Sequence, residues 1–160
     1  MKTFLLLGSN LGERKINLAN AINLIEENIA PVINRSSIYI TKAWGKTDQP
    51  DFYNQAIQIE TDLEPLALLK EIKAIEKELG RVSNEKWGAR IIDIDILFYG
   101  TQVFESDSLT IPHPFLHERM FTLKPLEEIA PDFVHPKLNK RIAELIAECK
   151  DSLEVSVLNE

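Results

Sequence analysis

Two aspartates, Asp93 and Asp95, stand one residue apart inside the most strand-like apolar run of the chain, residues 91–99. Side chains alternate along a strand, so the pair points one way while Ile92, Ile94, Ile96 and Phe98 point the other. The apolar set can bury, which leaves two carboxylates close together on the opposite face. Like charges at that spacing repel, and something cationic must compensate them. Mg²⁺ suits such a pair, because it takes few carboxylates, keeps waters and fills its shell with phosphate oxygens. A solvated strand edge with basic neighbours is the plain alternative, and Asp-x-Asp alone does not decide between the two.

The flanking segments favour the metal–phosphate reading. Arg81, Lys86 and Arg90 are spaced through the loop ahead of the strand, with Trp87-Gly88 between them. Spaced cations and one aromatic in such a loop fit a lid that grips phosphate. Downstream, His113, His117 and Arg119 fall in the proline-constrained segment 110–121. The two histidines lie on no convincing helix, so no zinc site is read from them. The chain has no G-x-x-x-x-G-K-[ST] loop, no G-x-G-x-x-G and no G-x-S-x-G elbow. Ser9, after Gly8, has no base close by in sequence.

The elements that must position these groups alternate along the chain. Residues 3–7 read as a strand stopped by Gly8-Ser9-Asn10. Ile16, Ala19, Ile22 and Ile29 recur at helical spacing, with Leu18 and Ile25 broadening the face, and Pro31 ends that helix. Residues 32–41 read as a second strand, 43–50 as a loop and 52–61 as a third strand. Leu68, Ile72, Ile75 and Leu79 mark a second helix, opened by Glu64-Pro65 and closed by Gly80. Residues 91–99 form the fourth strand. The proline-punctuated tail predicts short helices near 122–128 and 140–149. The order β-α-β-β-α-β is that of a ferredoxin-like α+β fold: an antiparallel sheet, both helices on one face, and here a C-terminal extension.

Composition bounds the partners. The chain has 160 residues, 27% of them charged and 44% hydrophobic, which suits one globular domain over 1–160. The net charge of −7 argues against a broad nucleic-acid-binding face. It does not exclude a nucleotide, because a divalent cation can supply positive charge locally. No run approaches the roughly 18 apolar residues of a membrane span. The apolar run near Met1 is too short for a signal peptide and a charged helical pattern follows it, so a cytoplasmic protein is expected. The single cysteine, Cys149, excludes an internal disulfide.

Several ordered motifs resemble the 6-hydroxymethyl-7,8-dihydropterin pyrophosphokinases of folate biosynthesis. They are Leu7-Gly8-Ser9-Asn10-Leu11, Gln49-Pro50-Asp51-Phe52-Tyr53-Asn54, Glu76 followed by Gly80-Arg81, Trp87-Gly88-x-Arg90-x-x-Asp93-x-Asp95-Ile96-Leu97, Pro112-His113, and Pro125-Leu126-x-Glu128-Ile129-Ala130-Pro131. The resemblance implies transfer of the terminal diphosphate of ATP, the co-substrate, to the pterin hydroxymethyl group, with release of AMP. It implies that Asp93 and Asp95 hold two Mg²⁺ ions and that Arg81 and Arg90 clamp the phosphates while Trp87 helps to seal the site. Phe52 and Phe121 would sandwich the pterin, Asn54 would read its edge, and the backbone near Thr41 and Trp44 would add hydrogen bonds. Arg90, Ile96, Thr110, His113 and Arg119 match the nucleotide side, and Glu76 matches a residue that braces it. The partners implied are these two small molecules, bound by a monomer.

The chain also departs from the enterobacterial members. Its loop 81–90 is one residue shorter. Ser83 and Asn84 replace basic residues, Ser108 and Pro114 replace an arginine and a tyrosine near the nucleotide, and Trp44 is bulkier than an aliphatic residue. A thinner outer grip on ATP predicts weaker ATP affinity with the chemistry intact. Two other classes compete with this reading. A nucleotidyltransferase pairs Gly-Ser with Asp-x-Asp, but here Gly8-Ser9 lies far from Asp93 in sequence. A non-catalytic ferredoxin-like binding domain needs no paired aspartates with lid arginines.

Overall fold

The computed structural model describes residues 1–42, 50–80 and 91–159. The central strand, β1 (Lys2–Ser9), is buried from Thr3 to Ser9. It lies antiparallel between β4 (Phe52–Glu60) and β5 (Asp93–Tyr99). β2 (Val32–Arg35) and β3 (Tyr39–Thr41) both pair with β4, and β8 (Val155–Val157) extends the sheet beyond β3. The fold is therefore a mixed helical and antiparallel-sheet structure, with sheet order β5-β1-β4-β3-β8. A two-stranded ribbon, β6 (Phe104–Glu105) and β7 (Thr110–Ile111), forms its own small sheet, with Ile111 and Phe104 packed on the core of the main one.

Helices α1 (Arg14–Asn28) and α2 (Pro65–Glu78) cover one face of the sheet. Leu5, Leu7, Ile57, Ile59, Ile94 and Ile96 bury there against Leu18, Ile22, Ile25, Leu68 and Ile72. The expected face of α1 is corrected. Ile16 is 56% exposed and Ala19 is also exposed, while Leu18, Ala21, Ile22 and Ile25 are buried. The true stripe runs i, i+3, i+4, i+7 from Leu18. In α2 the stripe falls on Leu68, Ile72 and Ile75 as expected. Pro65 opens that helix, and Gly80 follows it at φ +89°, a conformation that favours glycine.

The opposite face packs on α3 (Met120–Ile129) and α4 (Ile142–Glu148), through Phe4, Leu6, Ala56, Leu97, Phe98, Leu123 and Leu126. Phe98 belongs to this second cluster, not to the isoleucine face expected for it. The register with β1 shifts between Phe4 and Leu5, so that Leu97 is an extra residue. A bulge of this kind turns two successive side chains to one face. The expected second strand is likewise two short ones. Between them Ser36 is buried, its Oγ accepting the Ala56 N–H (3.0 Å) and donating to the Ser37 carbonyl (2.7 Å). Glu128 of α3 then ties this corner down by accepting the Ser37 N–H (2.9 Å) and the Tyr39 hydroxyl (2.8 Å).

Candidate active site

The strand pairing assembles the site. Gly8 pairs with Asp93 on one side and with Asn54 on the other, and Asn54 pairs with Tyr39. Paired residues present their side chains to the same face. Asp93, Asn54 and, one pleat along, Asp95 and Phe52 therefore share the face turned away from α1 and α2. Gly8 is the gap in this row. A β-carbon added to it would lie 2.8 Å from Asn54 Oδ1 and 3.7 Å from the Phe52 ring. With adjacent strands about 4.8 Å apart, the backbones carrying Asp93 and Asn54 lie about 10 Å apart across the bare glycine, and the Asn54 amide leans over it. Asn54 is 3% exposed, and among the described residues its buried Nδ2 has no hydrogen-bond partner. A buried amide donor without a partner is costly, and a flat ligand edge on this row would satisfy it.

Asp95 is the strained member of the pair. Its carboxyl is pushed up to about 8, first by withdrawal from water, then by repulsion from Asp93 and Glu76; Arg119 and Lys73 pull the other way. Glu76 stands on α2, 3% exposed, and its Oε2 accepts the N–H of Ile94 at 2.8 Å. It thus braces the strand between the two aspartates. Lys73 Nζ lies 3.7 Å from Glu76 Oε1. Among the described residues no three or more His, Cys, Asp or Glu side chains converge as an all-protein metal cage. Two acidic groups on one strand face, whose mutual repulsion a bound cation would relieve, match a cation that draws its remaining ligands from water and phosphate.

The tail supplies the other wall. The extra residue of the bulge, Leu97, accepts the His113 N–H through its carbonyl at 3.1 Å, which fixes segment 111–121 beside the aspartates. His113 Nδ1 accepts the Phe115 N–H at 3.2 Å, and burial, then Arg119, lower its pKa to about 4. The ring is thus neutral at physiological pH, with its proton on Nε2, a donor toward a ligand. Arg119 lies over the Phe115 ring at 5.1 Å and the Phe121 ring at 5.5 Å. Burial lowers its pKa, and Asp95, Glu118, Asp93 and Asp151 oppose that shift.

Other expected residues are placed less directly. Ile96 is 4% exposed, with its side chain in the core under α1 and α2, so only its backbone is left for a ligand. Thr41 is buried, and its hydroxyl donates to the Glu154 carbonyl at 3.3 Å. Thr110 is half-buried on β7, and Phe121 is half-buried at the margin of the second cluster. Trp44, Arg81, Trp87 and Arg90 lie outside the described residues.

Sequence reasoning missed the roles of Gly8, Asn10, Arg14, Phe115 and Asp151. Asn10 is fully buried and its Nδ2 donates to the Pro50 carbonyl at 3.2 Å. Arg14 donates to the Asp51 carbonyl at 2.7 Å and stacks over Tyr53 at 4.0 Å. Together they hold the segment leading to Phe52. The motif Gly8-Ser9-Asn10 carried a usable signal for Gly8 and Asn10, since small and amide residues just after a central strand mark a close approach of other backbone.

A family model described as 7,8-dihydro-6-hydroxymethylpterin-pyrophosphokinase matches residues 4–131. The 2-amino-4-hydroxy-6-hydroxymethyldihydropteridine pyrophosphokinase of Haemophilus influenzae is 42% identical over 149 residues, 92% of each chain. The Aquifex aeolicus protein of the same name is 43% identical over 145 residues, 91% of this chain and 90% of that one. Among solved structures, the wild-type Plasmodium falciparum HPPK-DHPS with STZ-DHP superposes with a TM-score of 0.73 at 20% identity, over 92% of this chain and 43% of that longer one. At that identity the likeness concerns the fold alone.

Proposed function

The chain belongs to the 7,8-dihydro-6-hydroxymethylpterin-pyrophosphokinase family, and from that premise we propose that the face bearing Asp93, Asp95, Asn54, Phe52, His113, Arg119 and Phe121 is where it works. It is an ATP-dependent diphosphotransferase of folate biosynthesis. The pterin hydroxymethyl oxygen bonds to the β-phosphorus of ATP. The bond from that phosphorus to the oxygen bridging the α- and β-phosphates breaks, AMP leaves with that oxygen, and the hydroxyl proton is released. The observation that carries the site assignment is the row Asp93–Gly8–Asn54, which puts the carboxylate pair and an amide donor with no partner among the described residues on either side of a bare glycine.

In this reading the pterin lies between Phe52 and Phe121 with its edge on Asn54, while the backbone near Thr41 and Trp44 completes the edge contacts. Offset stacking of a flat heterocycle on two rings suits those side chains. ATP lies on the side of Thr110, His113 and Arg119, with Ile96 contributing backbone and Glu76 bracing the strand. Asp93 and Asp95 would hold two Mg²⁺ ions. Such ions neutralise phosphate charge and lower the pKa of an attacking hydroxyl. The work of the protein is then positioning and charge. His113 donates Nε2–H without adding charge, Arg119 is oriented by its two flanking rings, and Arg81 and Arg90 close over the phosphates with Trp87 excluding water.

The strand order supports reading the fold as ferredoxin-like with a C-terminal extension; that residues 1–160 act as one catalytic domain and as a monomer is part of the same proposal. Incubation with Mg²⁺, ATP and 6-hydroxymethyl-7,8-dihydropterin tests the reaction by its products. AMP is expected. ADP would instead mean an ordinary kinase, inorganic pyrophosphate a nucleotidyltransferase, and no product a binding module.

A further inference from the structure

The first turn of α3 breaks a local rule. Its N-cap is Arg119, and no side chain of that residue caps the helix. A guanidinium has donors only, so it cannot accept a free N–H of the first turn. A cation there also opposes the positive end of the helix dipole. Residues that break local rules at a functional site need compensation elsewhere.

Asp151 supplies it from the tail. Its Oδ2 accepts the N–H of Met120, the first helical residue, at 3.0 Å, and its Oδ1 accepts the Leu153 N–H at 3.0 Å. Met120 sits between Arg119 and Phe121. The same tail then runs to the far side of the site. Val155, Ser156 and Val157 pair with Thr41, Ile40 and Tyr39. Thr41 Oγ1 donates to the Glu154 carbonyl at 3.3 Å, and the Leu158 N–H donates to the Ile38 carbonyl at 2.8 Å. Eight residues thus bond the turn carrying Arg119 and Phe121 to the strand paired with Phe52 and Asn54. All of them lie beyond residues 4–131, where the family match ends.

We propose that residues 151–158 are a positioning strap of the active site: Asp151 caps α3, β8 binds β3, and together they fix the spacing between Phe121 with Arg119 on one wall and Phe52 with Asn54 on the other. The proposal rests on the assignment of Phe121 and Arg119 to substrate contact. Asp151 touches no reacting group. It acts through Met120 N–H, by holding the turn and countering the charge of Arg119.

Steady-state AMP formation by Asp151→Ala, Asp151→Asn and Phe121→Ala, beside thermal unfolding of each, tests this. Asp151→Ala is expected to raise KM for both substrates roughly three- to tenfold with kcat changed less than twofold, the size of a lost cap. Asp151→Asn keeps the acceptor for Met120 and is expected to restore most of the wild-type KM. Asp151→Ala with a lowered Tm but unchanged KM would overturn the strap and leave only a structural cap. Phe121→Ala with an unchanged pterin KM would overturn the site assignment itself, and the proposal with it.

Discussion

Glu76 Oε2 accepts the N–H of Ile94 at 2.8 Å, on the residue that separates Asp93 from Asp95. A buried carboxylate on a helix therefore fixes the outer edge of the strand that carries the pair. Glu76→Ala would leave that N–H buried without a partner and cost about 2 kcal/mol of stability, read as a lower urea midpoint at unchanged slope. Glu76→Gln keeps an acceptor and removes a charge that repels Asp95. It is expected to unfold within about 1 kcal/mol of the native protein and to bind Mg²⁺ less pH-dependently. A Glu76→Ala protein as stable as the native one would refute the brace.

Gly8 is the floor of the site. A methyl group there meets Asn54 Oδ1 at 2.8 Å, and the amide must move. Gly8→Ala is expected to weaken pterin binding about tenfold, the cost of one disturbed buried hydrogen-bonding group. ATP binding, which uses the other side, should change little. Fluorescence titration with the pterin alone checks this, and undiminished affinity would contradict it.

The carboxyl of Asp95, raised from 3.8 to about 8 in the fold, gives the metal-free protein a pH signature. Below pH 3.8 the group is protonated folded or unfolded, and it costs nothing. Between about pH 4 and pH 8 the unfolded chain releases the proton while the folded one keeps it, so stability falls as pH rises. Above about pH 8 the penalty is constant. Asp95→Asn removes this slope and is expected to stabilise the metal-free protein by an amount that grows as pH rises from 5 to 8. Urea unfolding of both proteins in EDTA across pH 5–8 checks the sign; a stability difference that does not vary with pH would contradict it.

The thin outer grip on ATP is a sequence-level prediction that can be measured directly. By the resemblance, Ser83, Asn84, Ser108 and Pro114 would stand where enterobacterial members carry groups that could meet phosphate or nucleotide. Each lost charge-assisted contact at an exposed site weakens binding by about 1 kcal/mol. Calorimetry with a non-hydrolysable ATP analogue is expected to give lower affinity here than in an enterobacterial member, and restoring arginine at Ser108 is expected to recover part of it. Equal affinities would sink the idea.

How much of this was legible varies with the range of the interaction. Strand alternation alone placed Asp93 and Asp95 on one face and Ile92, Ile94 and Ile96 on the other, because that rule is local. It failed at Phe98, since the bulge at Leu97 is a property of the pairing with Phe4 and Leu5. The period of α2 was readable because its stripe is clean. That of α1 was misread because exposed Ile16 and Ala19 keep helical spacing with the buried set. Three-residue β8 and the two-residue strands β6 and β7 are too short to show a period. Asp151 was invisible because its partner, Met120, is 31 residues away. Phe52 and Asn54 were readable as a same-face pair, but the gap at Gly8 that joins them to Asp93 exists only once β1 lies between β4 and β5.

The central claim is that the Asp93–Asp95 pair is the seat of diphosphate transfer. Single-turnover AMP release by Asp95→Asn, at saturating ATP, pterin and Mg²⁺ and with the fold verified by circular dichroism, tests it most directly. The account predicts a fall of at least about a thousandfold, the scale of losing a charge-stabilising group in the transition state. A rate within tenfold of the native enzyme would contradict it and move the reaction centre away from this strand.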